Sequence, residues 1–229
     1  MLPPDFRLGN LPCWAERPGS AKSRRLEAEA GCHFAGSFNG NFMPSIISHA
    51  VVPLAVGLAL GSKAIPGRLL AIGMIAAMLP DADVLAFHFG IPYAHQLGHR
   101  GITHSLAFAL LLAMLAWIFA RQLASSRKPA FLFMFFAAAS HPLLDMLTNG
   151  GLGVALIWPI SNERLFFPLR VIEVSPIGIR RFFSATGVRV LLSELHWIWI
   201  PSIIAAVSIV AWRRIFYASE FKKVQDPVS

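Results

Sequence analysis

A polar string, Gly98-His99-Arg100-Gly101-Ile102-Thr103-His104-Ser105, stands directly before an apolar run from Leu106 to Ala120. Imidazoles packed against a membrane-type segment are costly unless something uses them. Three other apolar stretches carry matching groups at one end: His49, the pair Asp81 and Asp83, and the pair His141 and Asp145. His141 and Asp145 lie four apart and share a helix face. The histidines 49, 99, 104 and 141 with the aspartates 81, 83 and 145 exceed what one ion needs. A catalytic zinc takes about three protein ligands and leaves a position for water. The whole set would serve two metals bridged by a carboxylate, an arrangement that activates water for phosphoester hydrolysis. Mixed imidazole and carboxylate donors suit Zn, Mn or Fe better than Mg or Ca. The expected cofactor is one or two divalent ions, zinc foremost. Asp145 is expected to bridge or orient, Arg100 to hold a phosphate or carboxylate, and Glu194 to act as an extra ligand or base. The alternative for part of the set is a place behind the ligands, orienting imidazoles through hydrogen bonds.

Plainer readings stand beside this one. A single histidine near a helix end, such as His49, is usually interfacial, and Asp81 can cap a helix restart. A His/Asp set inside a membrane can also glue helices together or carry protons. A transporter usually shows more spans and internal repeats, which this chain does not. His88, His95 and His196 read as interfacial residues.

The elements that must position these groups follow from the apolar pattern. It predicts five segments: 45–61, 69–88, 105–120, 130–147 and 196–212. The second is interrupted by Pro80-Asp81-Ala82-Asp83, and Pro80 cannot donate a backbone hydrogen bond. Broken helices at membrane depth persist where they are buried in protein or line a polar cavity. Pro142 is expected to kink the fourth segment or to start a new helical piece at His141. The stretch 148–195 is less apolar, with short re-entrant or surface pieces near Val154–Ile157 and Leu165–Ile172. Trp197, Trp199 and Trp212 sit where interfacial aromatic belts sit. The fold class expected is all-α, a multi-pass transmembrane bundle.

Composition agrees. Of 229 residues, 55% are hydrophobic and only 14% charged, with a mean hydropathy of +0.59. Soluble domains carry about 25% charged residues. The net charge of +8 comes from Lys and Arg between apolar segments and at the C-terminus, where membrane topology demands them. Nucleic acid is therefore not an expected partner. The two cysteines, Cys13 and Cys32, accompany none of the histidines, so ligand supply excludes a structural zinc finger. They read as unpaired thiols in a leader.

That leader, residues 1–42, is rich in Pro, Gly and charge and lacks a signal-peptide core. It reads as a disordered tail or a start-site extension, since Met43 opens a more natural beginning. Residues 43–215 form the membrane domain and 216–229 a polar tail. Threading five segments alternately through a bilayer places every candidate ligand on one side. Lys63, Arg68, Arg121, Arg127, Lys128, Arg213, Arg214, Lys222 and Lys223 fall on the other, which reads as cytoplasmic. Arg100 and the arginines at 164, 170, 180, 181 and 189 stay on the ligand side, so the bias is small, and the leader's basic residues would reverse it.

Pro-Asp-Ala-Asp (80–83), His-Arg-Gly-Ile-Thr-His-Ser (99–105) and Ser-His-Pro-Leu-Leu-Asp-Met-Leu-Thr-Asn-Gly-Gly (140–151) resemble the YdjM-like family over about residues 43–215. The family comprises bacterial inner-membrane proteins described as metal-dependent hydrolases, some with a LexA-binding label. The resemblance implies an inner-membrane, multi-pass protein with His49, Asp81, Asp83, His99, His104, His141 and Asp145 as its polar set. The His-x-x-x-Asp pair is also similar, at motif level only, to zinc-dependent phospholipases C. The function expected is a membrane-bound metal-dependent hydrolase acting on a phosphoester or ester of a lipid or envelope molecule through a metal-activated water. The alternatives are a structural or interaction protein and a small transporter. The bilayer and a small-molecule or lipid substrate are the expected partners; a regulatory protein partner is left unidentified.

Overall fold

The computed structural model describes residues 42–43, 46–176 and 185–225. The leader up to residue 41, its two cysteines, Arg180 and Arg181, and the last four residues of the tail lie outside the described residues. Helices form wherever apolar residues run long enough to satisfy their own backbone at membrane depth. They are α1 (Ile46–Leu60), α2 (Gly67–Met78), α3 (Leu106–Ile118), α4 (Arg127–Met146), α5 (Ala185–Glu194) and α6 (Ile200–Gln225). A 3₁₀ helix, Leu79–Phe89, continues α2 without a gap, and a π-turn, Leu195–Trp199, joins α5 to α6. Extended pairing among the described residues is slight. Phe42–Met43 (β1) pairs antiparallel with Ser175–Pro176 (β2), and isolated bridges link Thr148 to Ile172 and Val154 to Leu165. These bridges organise the irregular stretch between α4 and α5, which packs over the polar end of the bundle.

Three helical stretches are long and apolar enough to cross a membrane: Gly67–Phe89 (23 residues), Arg127–Met146 (20) and Gly187–Ile215 (29). α1, with 15 residues, and α3, with 13, are apolar but shorter. At ~1.5 Å per residue α3 spans about 20 Å of a hydrocarbon core near 30 Å thick. Five apolar segments are therefore present, but two of them are short of a full crossing. The last one also begins about ten residues before the expected boundary. Arg189, Ser193 and Glu194 break its apolar pattern without breaking the helix. Pro80 likewise does not end the second segment. It opens the 3₁₀ helix at a position where its missing N–H is tolerated. α4 runs unbroken through Pro142.

α4 is the hub, with α1, α2 and α3 all packed against it. Small residues allow the close approach. Ala109, Ala113 and Ala116 form a stripe on α3 that meets Ala130, Phe133, Ala138 and Ala139 of α4. Gly73 of α2 lies so near α4 that a Cβ there would stand 2.5 Å from Phe133 Cε1. α6 packs on α1 and leaves Ile203, Ile204 and Val207 exposed, as a lipid-facing surface requires.

Candidate metal centre

Each polar group reaches one pocket from a different element. His49 comes from the first turn of α1, and Asp81 and Asp83 from the 3₁₀ helix after Pro80. His104 ends a single 3₁₀ turn, Ile102–His104, and Ser105 then caps α3 by accepting the Phe108 N–H at 3.1 Å. His141 and Asp145 stand one turn apart near the end of α4. His49, Asp81, His104, His141 and Asp145 are all buried.

Ligand-capable atoms of Asp81, His104, His141 and Asp145 lie within 4.8 Å of one another. His104 Nε2 is 3.0 Å from His141 Nε2, 3.2 Å from Asp145 Oδ2 and 3.8 Å from Asp81 Oδ1. His141 Nε2 is 3.5 Å from Asp81 Oδ1 and 3.7 Å from Asp145 Oδ2. Four ligands about 2.0–2.1 Å from a tetrahedral ion stand about 3.3 Å apart. The observed separations bracket that value.

The tautomers sharpen this. His141 Nδ1 lies 2.7 Å from the Ala77 carbonyl, which can only accept, so Nδ1 carries the hydrogen. His104 Nδ1 lies 3.1 Å from Asp83 Oδ2, which likewise accepts. In the neutral rings both Nε2 atoms are therefore bare lone pairs, 3.0 Å apart. Both Asp81 oxygens, Asp145 Oδ2 and both His49 nitrogens have no hydrogen-bond partner. His49 Nε2 is 3.7 Å from Asp145 Oδ1 and 3.9 Å from Asp81 Oδ2, and its ring stacks on His141. With the rings neutral, Asp81, Asp83 and Asp145 against Arg100 leave two net negative charges at a site closed to solvent, which is costly unless a cation, a proton on His104 or a metal ion, balances them. Burial works against charge on His104, yet Asp145, Asp81 and Asp83 outweigh it and hold this imidazole well above its ordinary pKa. The pocket thus attracts positive charge, and its donor set fits a divalent ion.

Asp83 sits differently from Asp81. Its Oδ1 accepts from His99 Nδ1 at 2.6 Å, and its Oδ2 accepts from Thr103 Oγ1 at 2.6 Å and the Arg100 N–H at 3.2 Å. It is also a member of the second group of ligand-capable residues, with His99 and His104. His99 Nε2 is buried without a partner, and Tyr93 packs edge-on against the ring.

Arg100 does not present an open slot for substrate phosphate. It is fully buried, with Nε 3.2 Å from Asp145 Oδ2, and Nη1 donates to Thr148 Oγ1 at 3.0 Å and the Gly150 carbonyl at 2.9 Å. Its backbone φ of 62° lies in the left-handed region, so the turn that aims it is strained. Gly151 leaves room for it, since a Cβ there would stand 2.9 Å from Arg100 Nη1. Glu194 is buried but belongs to neither ligand group. It accepts from Ser48 Oγ at 2.8 Å, and Ser48 in turn accepts from Trp199 Nε1 at 2.9 Å, tying the last helical stretch to α1. His88, His95 and His196 are exposed.

The sequence places Thr103 in the polar string without assigning it a role, and it gives no role to Thr148 or the Ala77 carbonyl. The two threonines lie inside the quoted motif strings, so their polarity at that depth was a usable signal. No side-chain pattern reports a carbonyl.

The chain matches the YdjM inner membrane protein family over residues 43–218. It is 47% identical over 173 residues to inner membrane protein YbcI of Escherichia coli (strain K12), covering 75% of this chain and 99% of that protein. No solved structure matches it.

Proposed function

The chain belongs to the YdjM inner membrane protein family, and from that premise we propose that it is a metal-dependent hydrolase of the inner membrane. Asp81, His104, His141 and Asp145 hold a divalent ion, zinc foremost, with His49 beside them as a further ligand. One observation carries this reading: two imidazole Nε2 atoms and two carboxylates converge, buried, where three aspartates outnumber the Arg100 guanidinium and a cation would balance the excess. A divalent ion held there supplies Lewis acidity and lowers the pKa of a coordinated water.

The chain's own residues do the rest. Asp83 receives the Nδ1 protons of His99 and His104 and turns the Nε2 of His104 toward the ion, and the Ala77 carbonyl does the same for His141. Arg100 is a positioning residue that holds Asp145 in place. His99 Nε2, buried and without a partner, offers a site for a substrate proton. Leu85, Phe89 and Leu97 leave apolar side chains exposed near this end, which favours a phosphoester or ester of a lipid or envelope molecule as substrate.

The complete burial of the donor atoms also favours a second reading, an ion that locks the helices together without turning over substrate. Metal analysis of detergent-purified protein against His141→Ala and Asp81→Asn tests the site. We expect about one ion per chain in the wild type and near none in either variant; equal content in all three rejects the centre. Hydrolysis of a lipid phosphoester panel by the metal-loaded protein, absent in His99→Ala despite normal metal content, distinguishes catalysis from a structural ion.

A further inference from the structure

At the end of the bundle away from the metal centre, a cavity of about 740 Å³ opens between the α1–α2 turn and the α3–α4 turn. Roughly 20 Å of α4, at ~1.5 Å per residue, separates Arg127 from His141, so the two sites are distinct. Three cationic side chains, Lys63, Arg121 and Lys128, stand at this cavity, all exposed and none faced by an acidic residue in its lining. Ser125 and Ser126 add hydroxyls. The α2 and α4 helices both begin here, and neither Pro66 nor Ser126 makes a side-chain cap. Their N-terminal dipoles add to the positive field. The deeper wall is apolar, built from Val56, Leu60, Phe133 and Phe136.

A second observation gives the cavity a tail. Val56 and Phe136 also line an apolar groove of about 270 Å³ that runs between α1 and α6 past Val52, Ala205 and Ile209. Headgroup-sized space beside three cations thus shares Val56 and Phe136 with a strip whose lining is apolar but for Ser202. Neither a free anion nor an acidic peptide needs both parts.

We propose that this cavity binds the headgroup of an anionic phospholipid, with an acyl chain laid in the α1–α6 groove. The cations and the two helix starts take the phosphate, the serine hydroxyls complete its hydrogen bonds, and the groove replaces bilayer contacts for the chain. The assignment is independent of the metal centre.

Native mass spectrometry of the full chain in mild detergent, titrated with phosphatidylglycerol or phosphatidylcholine of the same chains, tests it. The wild type is expected to retain one phosphatidylglycerol in preference to phosphatidylcholine. Each basic residue near an anionic lipid is worth ~1 kcal/mol, about five-fold. The triple variant Lys63→Gln, Arg121→Gln, Lys128→Gln is therefore expected to lower phosphatidylglycerol retention at least about tenfold. Ala205→Trp, a change at an exposed groove residue, is expected to reduce retention with the charges intact. Arg68→Gln, exposed and outside the lining, is expected to change nothing. Equal retention of the two lipids by the wild type, unchanged selectivity in the triple variant, or an equal loss in Arg68→Gln overturns the proposal.

Discussion

Asp83→Asn separates the residues proposed to hold an ion from the one proposed to aim them. The Asp83 carboxylate receives four donors: His99 Nδ1 and Thr103 Oγ1 at 2.6 Å each, His104 Nδ1 at 3.1 Å and the Arg100 N–H at 3.2 Å. Asparagine keeps one acceptor oxygen and turns an NH₂ toward the other donors. Either the His99 side or the His104 side must then lose its partner. If His104 loses it, the ring can rotate or change tautomer, and Nε2 no longer faces Asp81 and Asp145 as a bare lone pair. Partners of this kind are worth about 10–100-fold in metal affinity, or about 1.4–2.7 kcal/mol. Asp81→Asn removes a proposed ligand and should cost far more. Competition with a chelator of known affinity, read on purified protein, measures both. We expect Asp83→Asn to bind with about 10–100-fold weaker affinity and Asp81→Asn to bind no measurable ion. Should Asp83→Asn lose metal as fully as Asp81→Asn, Asp83 is itself a ligand and the Asp83, His99 and His104 group holds an ion. Should it bind as tightly as the wild type, the argument from tautomers fails.

Other consequences follow from the same contacts. Arg100→Met leaves Asp145 buried without its guanidinium, a change worth about 3–5 kcal/mol; thermal unfolding in detergent should show a clear fall in Tm, and an unchanged Tm would refute the pairing. Gly73→Ala drives a methyl group into Phe133 of α4 and should cost about 1–3 kcal/mol, again read as Tm. Burial pushes the Tyr93 hydroxyl up to about 12, with Arg100 acting in the opposite sense. A group raised in the folded state contributes stability below its unfolded pKa of ~10 and loses it as pH climbs toward the folded value. Denaturant unfolding should therefore weaken between about pH 10 and 12, and Tyr93→Phe should flatten that slope.

Much of this protein is determined locally. Burying twenty or so apolar residues in lipid needs only their order along the chain, so the five apolar segments can be read without contacts. An imidazole or carboxylate at the end of such a segment is conspicuous for the same reason, and the four-residue spacing of His141 and Asp145 puts them on one face by helix geometry alone. Alternate threading then requires the polar ends to share a side. What a linear pattern cannot carry is rotation and approach. Asp81 and Asp83 look alike as neighbours in one string, yet the turn of the 3₁₀ helix sends one to the bare Nε2 atoms and the other to the Nδ1 protons behind them. Arg100 looks like an anion binder until the stretch after α4 folds back and occupies it with Thr148 and Gly150. Glu194 joins the cation-binding candidates by residue type but is claimed by Ser48, 146 residues away. Those assignments rest on long-range contacts and side-chain direction, which only packing around α4 decides.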